Sequence, residues 1–131
     1  MHYRYIFIVL LISLADTTYL TIAHYDSGIT LYCPDKGIIN CNYVTSSVYS
    51  EILGIPIALL GLIWSIVSIV LAYMSYKTIL DIRYIRIMSL FGLAALIYSV
   101  AAMSLLGKIC LYCSLLDIML LSFFILVFFI P

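Results

Sequence analysis

The chain has 131 residues, of which 66% are hydrophobic and 9% are charged, and its formal net charge is zero. A water-soluble domain of this length could not bury so much apolar surface, so the composition predicts an integral membrane protein. A chain with no excess of basic residues gives no indication of a nucleic-acid partner. We therefore expect membrane lipid, and no nucleic acid, among the partners.

Four apolar stretches are long enough to cross the hydrocarbon core of a bilayer, which takes roughly 20 helical residues. They cover about residues 5–23, 52–76, 87–106 and 109–130. The first contains one charged residue, Asp16, and the last contains one, Asp117. Pro56 falls in the first turn of the second stretch, where a proline is tolerated. The prediction is an all-α membrane protein, a single domain over residues 1–131 that forms a four-transmembrane-helix bundle with a long extracytoplasmic loop between helices 1 and 2.

The N-terminal stretch has a second interpretation. Arg4, the apolar run after it and the small residues near Ala15 would fit a cleaved signal peptide. Apolar character continues past Ala15 as far as Ala23, which favours a full transmembrane span.

Basic residues indicate the orientation. Four spans place both termini and the 77–86 loop on one side of the membrane, and the 24–51 loop and the Gly107-Lys108 turn on the other. The first side has four basic residues and the second has two: Arg4, Lys77, Arg83 and Arg86 against Lys36 and Lys108. The positive-inside rule makes the first side cytoplasmic.

The chain has four cysteines, and this topology brings all of them to the extracytoplasmic face, where disulfides persist. Cys33 and Cys41 lie in the long polar loop, whereas Cys110 and Cys113 form a CxxC motif at the start of the last span. Three interpretations compete: two static disulfides, a tetrahedral zinc site and a thiol–disulfide relay.

The relay accounts best for the positions of both cysteine pairs. A CxxC loop is too small to add much chain-entropy stabilisation, and zinc ribbons usually pair two CxxC motifs. Cys110 lies near a helix N-terminus, where the helix dipole favours a thiolate, and Cys113 lies one turn deeper. A membrane quinone is the obvious acceptor for electrons that leave at this depth.

These residues resemble the vitamin K epoxide reductase family, in its prokaryotic branch, over nearly the whole chain. The resemblance rests on the order and spacing of five motifs: Cys33-x7-Cys41, Ser46-Ser47, Gly54-Ile55-Pro56, Leu60-Gly61-Leu62 and Cys110-x-x-Cys113.

The resemblance implies a role for each cysteine. Cys33 would exchange with a partner protein, and Cys41 would pass the electrons on by attacking Cys110. Cys113 would lie next to the quinone and form a charge-transfer or covalent adduct with it. Ser47 matches a family hydroxyl that supports the redox centre, although it would equally serve as a loop hydroxyl that caps the segment before the second span.

The implied activity is that of a membrane thiol:quinone oxidoreductase that supports disulfide bond formation. Its electrons would come from a thioredoxin-like disulfide donor protein acting in trans and would pass to a quinone, such as menaquinone or ubiquinone, without a metal. Two alternatives stay open: reduction of a quinone epoxide, as the family name implies, and a non-catalytic membrane scaffold with static disulfides.

Two positions depart from the family pattern. Ile57 follows Gly-Ile-Pro where many members have an asparagine that binds a quinone carbonyl. Asp117 occupies the position of a tyrosine four residues after the second CxxC cysteine. We therefore expect the polar contacts to the quinone ring to differ in this chain.

The two acidic residues in the spans are candidate proton donors. Asp117 shares a helix stripe with the CxxC cysteines and lies roughly 10 Å below Cys110, while Asp16 lies roughly 12 Å below His24. A charged carboxylate in hydrocarbon is costly, so such residues usually face the bundle interior and are functional. The hypothesis is that Asp117, sharing a proton with Asp16, donates to the quinone oxygen. The alternative is a buried acid that only packs.

Three aromatic residues are candidates for a pocket around the flat quinone ring: Trp64, Tyr98 and Tyr112. Aromatic residues in spans more often pack in the core or anchor the interface, and this remains the competing interpretation.

Overall fold

The computed structural model describes residues 3–25, 51–52 and 54–129. Four helices and one short β-hairpin follow each other in this part of the chain: α1 (Tyr3–Tyr25), β1 (Glu51–Ile52), β2 (Ile55–Pro56), α2 (Ile57–Tyr76), α3 (Arg83–Leu106) and α4 (Leu111–Phe128). All four helices are long and apolar enough to cross a membrane. The predicted four-helix membrane bundle is confirmed.

Several sequence predictions lie outside the described residues. These concern the long loop itself, the basic residue Lys36, the cysteines Cys33 and Cys41, and Ser47.

Helices that follow each other along the chain run antiparallel in the bundle. The hydroxyls of Tyr3 and Ser75 are hydrogen-bonded at 2.9 Å, so the start of α1 lies beside the end of α2. The guanidinium of Arg86 lies 5.8 Å from the ring centre of Phe128, which places the start of α3 beside the end of α4. The bundle therefore has a cysteine end, formed by the end of α1, the start of α2, the end of α3 and the start of α4, and an opposite end that we call the distal end.

The polar side chains of the helices lie mostly inside the bundle, whereas its surface is largely apolar. Small hydroxyls in the interior donate to carbonyls of their own helix, as Thr17 does to Ser13 at 2.8 Å and Ser65 to Gly61 at 2.9 Å. Each of these hydroxyls makes its hydrogen bond within its own helix, and the small side chains allow neighbouring helices to approach closely. A Cβ atom added at Gly61 would lie 3.0 Å from the Thr17 methyl group, so α1 and α2 are in close contact there.

Two buried clusters hold the helices together. The distal core contains six buried hydrophobic residues: Ile6, Leu10, Ala72, Ile85, Phe123 and Val127. A smaller cluster at the cysteine end is centred on Leu20 and Cys110. The distal core provides most of the apolar packing, and the smaller cluster surrounds the CxxC motif.

The start of the second span differs from the prediction. Ile52 pairs with Ile55 in a short hairpin, and α2 begins only at Ile57. Gly54 adopts a φ of 80°, which the tight turn requires and which a glycine adopts without steric penalty. Pro56 is the N-cap residue with extended backbone (φ −59°, ψ 137°), so it precedes the first turn and does not lie within it.

The other boundaries follow from local capping. Helix α3 begins at Arg83, four residues before the predicted start, where the main-chain N–H of Arg83 donates to Asp81 at 3.3 Å. It ends at Gly107, whose φ of 69° is left-handed and whose N–H donates to the Met103 carbonyl at 3.0 Å. The tight turn expected at Gly107-Lys108 leads directly into the CxxC motif.

Candidate functional site

Cys110 is the N-cap residue of α4 and is fully buried, with 0% of its surface exposed. Its backbone is extended (φ −99°, ψ 122°), and its Sγ accepts a hydrogen bond from the main-chain N–H of Cys113 at 3.3 Å. A side chain that accepts from the third helical residue is the usual arrangement of an N-cap, here made by a sulfur atom. Cys110 and Cys113 are both free thiols in this structure.

The main chain of Cys110 is held on both sides. Its N–H donates to the Sδ of Met103 on α3 at 3.4 Å. Its carbonyl accepts from the main-chain N–H of Ser114 at 2.9 Å and from the Ser114 hydroxyl at 2.8 Å. The first cysteine of the motif is therefore fixed between the last turn of α3 and the first turn of α4.

Hydrogen bonding shifts the acidity of this thiol. Cys110 lies just before the membrane-spanning part of α4, and a hydrogen bond from the Cys113 thiol lowers the pKa of Cys110 below its usual value. Burial acts in the opposite direction, and main-chain hydrogen bonds from Cys113 and Tyr112 lower the pKa further. The lower pKa makes the thiolate, which is the nucleophilic form, easier to reach on Cys110 than on an ordinary cysteine.

Apolar side chains from all four helices surround the motif. The cluster around Cys110 and Leu20 includes partly buried residues from each helix: Tyr19, Ala23, Ala58, Met103, Leu106, Tyr112 and Cys113. The rings of Tyr19 and Tyr112 pack with centres 5.2 Å apart and an angle of 37° between their planes. The CxxC motif therefore lies in a largely apolar environment at the cysteine end.

Two buried acids lie deeper in the bundle. Asp16 on α1 is 6% exposed and Asp117 on α4 is 9% exposed, and the two carboxyls are close enough to interact electrostatically. Both also interact electrostatically with Cys113. The Ser99 hydroxyl of α3 donates to Oδ2 of Asp117 at 3.1 Å. Within the described residues, both carboxyl oxygens of Asp16 and Oδ1 of Asp117 have no hydrogen-bond partner.

The remaining candidates for a quinone pocket are spread over the bundle. Tyr112 belongs to the cluster around Cys110, and Ile57 is the half-buried first residue of α2, next to Ala58 of that cluster. Tyr98 is half-buried on α3, one residue before Ser99. These positions bring Tyr112 and the start of α2 to the CxxC motif.

Trp64 lies elsewhere. Its ring packs against the distal core and meets Phe123 edge-on at 5.4 Å, and its indole N–H donates to the Met88 carbonyl at 2.9 Å. These contacts support the competing interpretation of Trp64 as a packing residue that joins α2, α3 and α4.

Sequence reasoning missed three residues that contact the site. Met103 and Ser114 bond the main chain of Cys110, and Ser99 bonds Asp117. The sequence did contain a signal for Ser99. Ser99 lies about as many residues before the Gly107 turn as Asp117 lies after the turn, so the constant rise of a helix places both residues at similar depth. Among the described residues, no group of three or more His, Cys, Asp or Glu side chains forms a possible metal site.

Comparison with known proteins bears on the same part of the chain. The family model described as the vitamin K epoxide reductase family matches residues 4–128, nearly the whole chain, and so confirms the resemblance found in the motifs. Comparisons with curated proteins and with solved structures gave no match.

Proposed function

Because the chain belongs to the vitamin K epoxide reductase family, we propose that it is a membrane thiol:quinone oxidoreductase that supports disulfide bond formation. Family membership implies a multi-pass membrane oxidoreductase that acts on quinones. The finer proposal is that protein thiols are the electron source. The observation that carries it is the pair of free thiols at the start of α4, buried Cys110 and half-buried Cys113, with its thiol N-cap and its apolar surroundings.

The proposed reaction balances without any further reactant. The Cys110 and Cys113 thiols lose two electrons and two protons and become a disulfide. The quinone gains the two electrons and two protons and becomes a quinol. A quinone is a much stronger oxidant than a protein dithiol, so the reaction runs in this direction.

The geometry suits the formation of that disulfide. The Cys113 thiol is already hydrogen-bonded to Cys110, so the two side chains are in contact before oxidation. In the proposed sequence the Cys113 sulfur bonds to the quinone ring in the covalent adduct that the resemblance implies. The Cys110 thiolate would then attack the Cys113 sulfur, the bond between Cys113 and the ring would break, and the ring would leave with the electron pair as a quinol. The apolar surroundings would admit the ring of a membrane quinone, and Ile57 and Tyr112 are the candidates to contact it.

The loop cysteines would return the site to the reduced state. In this proposal a thioredoxin-like partner, acting in trans, reduces the Cys33–Cys41 disulfide by thiol exchange at Cys33. The Cys41 thiolate then attacks Cys110 in the Cys110–Cys113 disulfide and releases Cys113 as a thiolate. Cys110 is the CxxC sulfur nearer to the end of the helix, and its complete burial means that this attack requires a local opening of the cysteine end. Ser47 would support the redox centre from the same loop.

We propose that the cysteine end faces the extracytoplasmic side and that both termini are cytoplasmic. Lys77, Arg83 and Arg86 all lie at the distal end, away from the CxxC motif. The positive-inside rule then places the distal end in the cytoplasm.

Anaerobic quinol formation tests the proposed function. The purified, pre-reduced protein is mixed with menaquinone or ubiquinone analogues, and the quinone absorbance is followed. The Cys33→Ala/Cys41→Ala double variant should form one quinol per chain, because its CxxC pair is intact. Cys113→Ala should form none.

Ser122→Ala is the matched control, because Ser122 is a half-buried residue further along the same helix whose hydroxyl donates to the Ile118 carbonyl of that helix. It should behave as the wild type does. A wild-type protein that forms no quinol with any quinone tried would overturn the proposal.

The family description favours a second candidate, reduction of a quinone epoxide by thiols. The same reduced protein would then consume a quinone epoxide and release quinone and water. Turnover of the epoxide faster than that of the quinone would favour this candidate over quinol formation.

A further inference from the structure

We propose that Asp16 and Asp117 form a buried proton relay that passes the protons of the Cys110 and Cys113 thiols to the quinone oxygens. The inference rests on the proposed function and goes beyond it, because it assigns the route of the protons to two acids inside the bundle. Asp117 stands where the resemblance expects a tyrosine, so this route would be particular to chains with this pair.

The two acids are buried without enough hydrogen-bond partners. Asp16 is 94% buried, the complement of its 6% exposure, and neither of its carboxyl oxygens has a hydrogen-bond partner among the described residues. Asp117 has one partner, the Ser99 hydroxyl, and its Oδ1 has none. Buried polar atoms are normally satisfied, so three unpartnered carboxyl oxygens at one place need an explanation.

The nearby hydroxyls do not supply the missing bonds. Thr17 and Thr21 on α1 donate to carbonyls of their own helix at 2.8 and 2.7 Å. Ser13 donates to the Val9 carbonyl at 3.0 Å, and Ser65 on α2 donates to the Gly61 carbonyl. Among the described residues, three carboxyl oxygens of the pair therefore stay without a hydrogen-bond partner and are available to a molecule that enters the site.

Two adjacent carboxylates in an apolar interior would repel each other, and each would lack the hydration that a charge requires. The pair avoids this by keeping at least one proton. Retained protons make the carboxyls hydrogen-bond donors as well as acceptors. A quinone oxygen is a suitable acceptor for such a donor.

The pair is connected to the thiols. Asp117 follows Cys113 by four residues on α4, so it lies on the same helix face roughly 6 Å deeper. Asp16 interacts electrostatically with both Cys110 and Cys113, from α1. The pair thus interacts with both thiols that release protons.

The other titratable groups of this region are phenols. Tyr112 on α4 interacts electrostatically with Asp16 and with Tyr19 on α1, and Tyr98 on α3 is the half-buried neighbour of Ser99 in sequence. Helix α2 has no titratable side chain from residue 57 to residue 72. The relay balances over one turnover: two protons leave the thiols, two enter the quinol, and the carboxyls return to their starting state.

Single-turnover quinol formation between about pH 5 and pH 8 tests the relay. Loss of a general acid typically slows a reaction by 10²–10⁴-fold, and we expect Asp117→Asn to slow quinol formation about 100-fold. In the wild type the rate should decline as rising pH removes the proton that the pair retains. This decline should disappear in Asp117→Asn, where only the rise from thiol deprotonation remains.

Controls separate the relay from packing. Asp81→Asn removes an exposed carboxyl of the 77–82 turn and should change neither rate nor pH profile. Asp117→Glu keeps a carboxyl and should recover part of the rate. An Asp117→Asn protein that folds, keeps the wild-type rate and keeps the wild-type pH profile would show that the acids only pack, and would overturn the inference.

Infrared difference spectra give a readout that does not need a quinone. The cysteine pair is cycled between dithiol and disulfide with a small-molecule dithiol couple. The C=O stretch of a protonated carboxyl should shift on oxidation, and the shift should vanish in Asp117→Asn and change in Asp16→Asn. If the wild type shows no such band, the relay is wrong even where quinol forms. If the band shifts but no quinol forms, the proposed function is wrong, whereas the coupling between the two acids and the two thiols is supported.

Discussion

The main-chain N–H of Cys113 donates a hydrogen bond to the Sγ of Cys110 at 3.3 Å, so the first CxxC cysteine caps the helix that carries the second. The cap and the redox chemistry use the same sulfur atom. Oxidation to a disulfide removes the thiolate that this bond favours. The first turn of α4 is therefore coupled to the redox state of the pair.

Substitutions at Cys110 should separate the cap from the chemistry. Cys110→Ala removes the cap and should lower the free energy of unfolding by about 1 kcal/mol, whereas Cys110→Ser keeps an N-cap oxygen and should lower it less. Both should abolish quinol formation. Unfolding by SDS in mixed micelles gives the stability difference. Equal stability of the two variants would contradict a capping role for the sulfur.

Ser99→Ala should destabilise the bundle, because it removes the hydroxyl that donates to Asp117 and leaves a buried carboxyl without that bond. An unsatisfied buried group typically costs about 1–3 kcal/mol, and the same unfolding measurement would detect it. The exposed Ser104 on the same helix provides the control, since Ser104→Ala should have little effect. In an Asp117→Asn background the effect of Ser99→Ala should change, which shows that the two residues are coupled.

The aromatic candidates should behave in two different ways. Trp64→Phe loses the hydrogen bond to the Met88 carbonyl and should lower stability by about 1 kcal/mol without changing the quinone concentration at half-maximal rate. Tyr112→Leu removes the ring beside Cys110 and should raise that concentration. If the quinone concentration at half-maximal rate changes in Trp64→Phe and not in Tyr112→Leu, the quinone binds in the distal core and not beside Cys110.

Labelling of single cysteines should establish the orientation. In a variant without native cysteines, Lys108→Cys lies in the turn at the cysteine end and Lys77→Cys follows the end of α2 at the distal end. A membrane-impermeant thiol reagent applied to intact cells should modify the first and spare the second. The reverse pattern would place the CxxC motif on the cytoplasmic side, where disulfides rarely persist.

The four spans were predictable because a membrane helix needs a long apolar run and little else, and the runs are present. The hairpin that pairs Ile52 with Ile55 was not, because these apolar residues would equally fit the start of a helix and their pairing depends on the turn at Gly54. Hydropathy alone does not distinguish these two structures.

Within the site, depth was predictable and helix rotation was not. The constant rise of a helix places Asp16 and Asp117 at similar levels, and the structure brings them within electrostatic reach. Which side of α2 faces the CxxC motif depends on packing between helices. Trp64 was therefore a reasonable candidate for the pocket from its sequence position, although its contacts place it in the distal core. The roles of Cys33, Cys41 and Ser47 stay predictions.

In the proposed reaction Cys110 and Cys113 are the pair that gives its electrons to a quinone. The most direct test adds one equivalent of quinone to the fully reduced protein without oxygen, blocks the remaining thiols by alkylation and maps the disulfides by mass spectrometry. We expect a Cys110–Cys113 disulfide in an amount equal to the quinol formed, including in the Cys33→Ala/Cys41→Ala variant. Two results would contradict the proposal: quinol forms although Cys110 and Cys113 are both recovered as alkylated thiols, or the only disulfide joins Cys33 and Cys41.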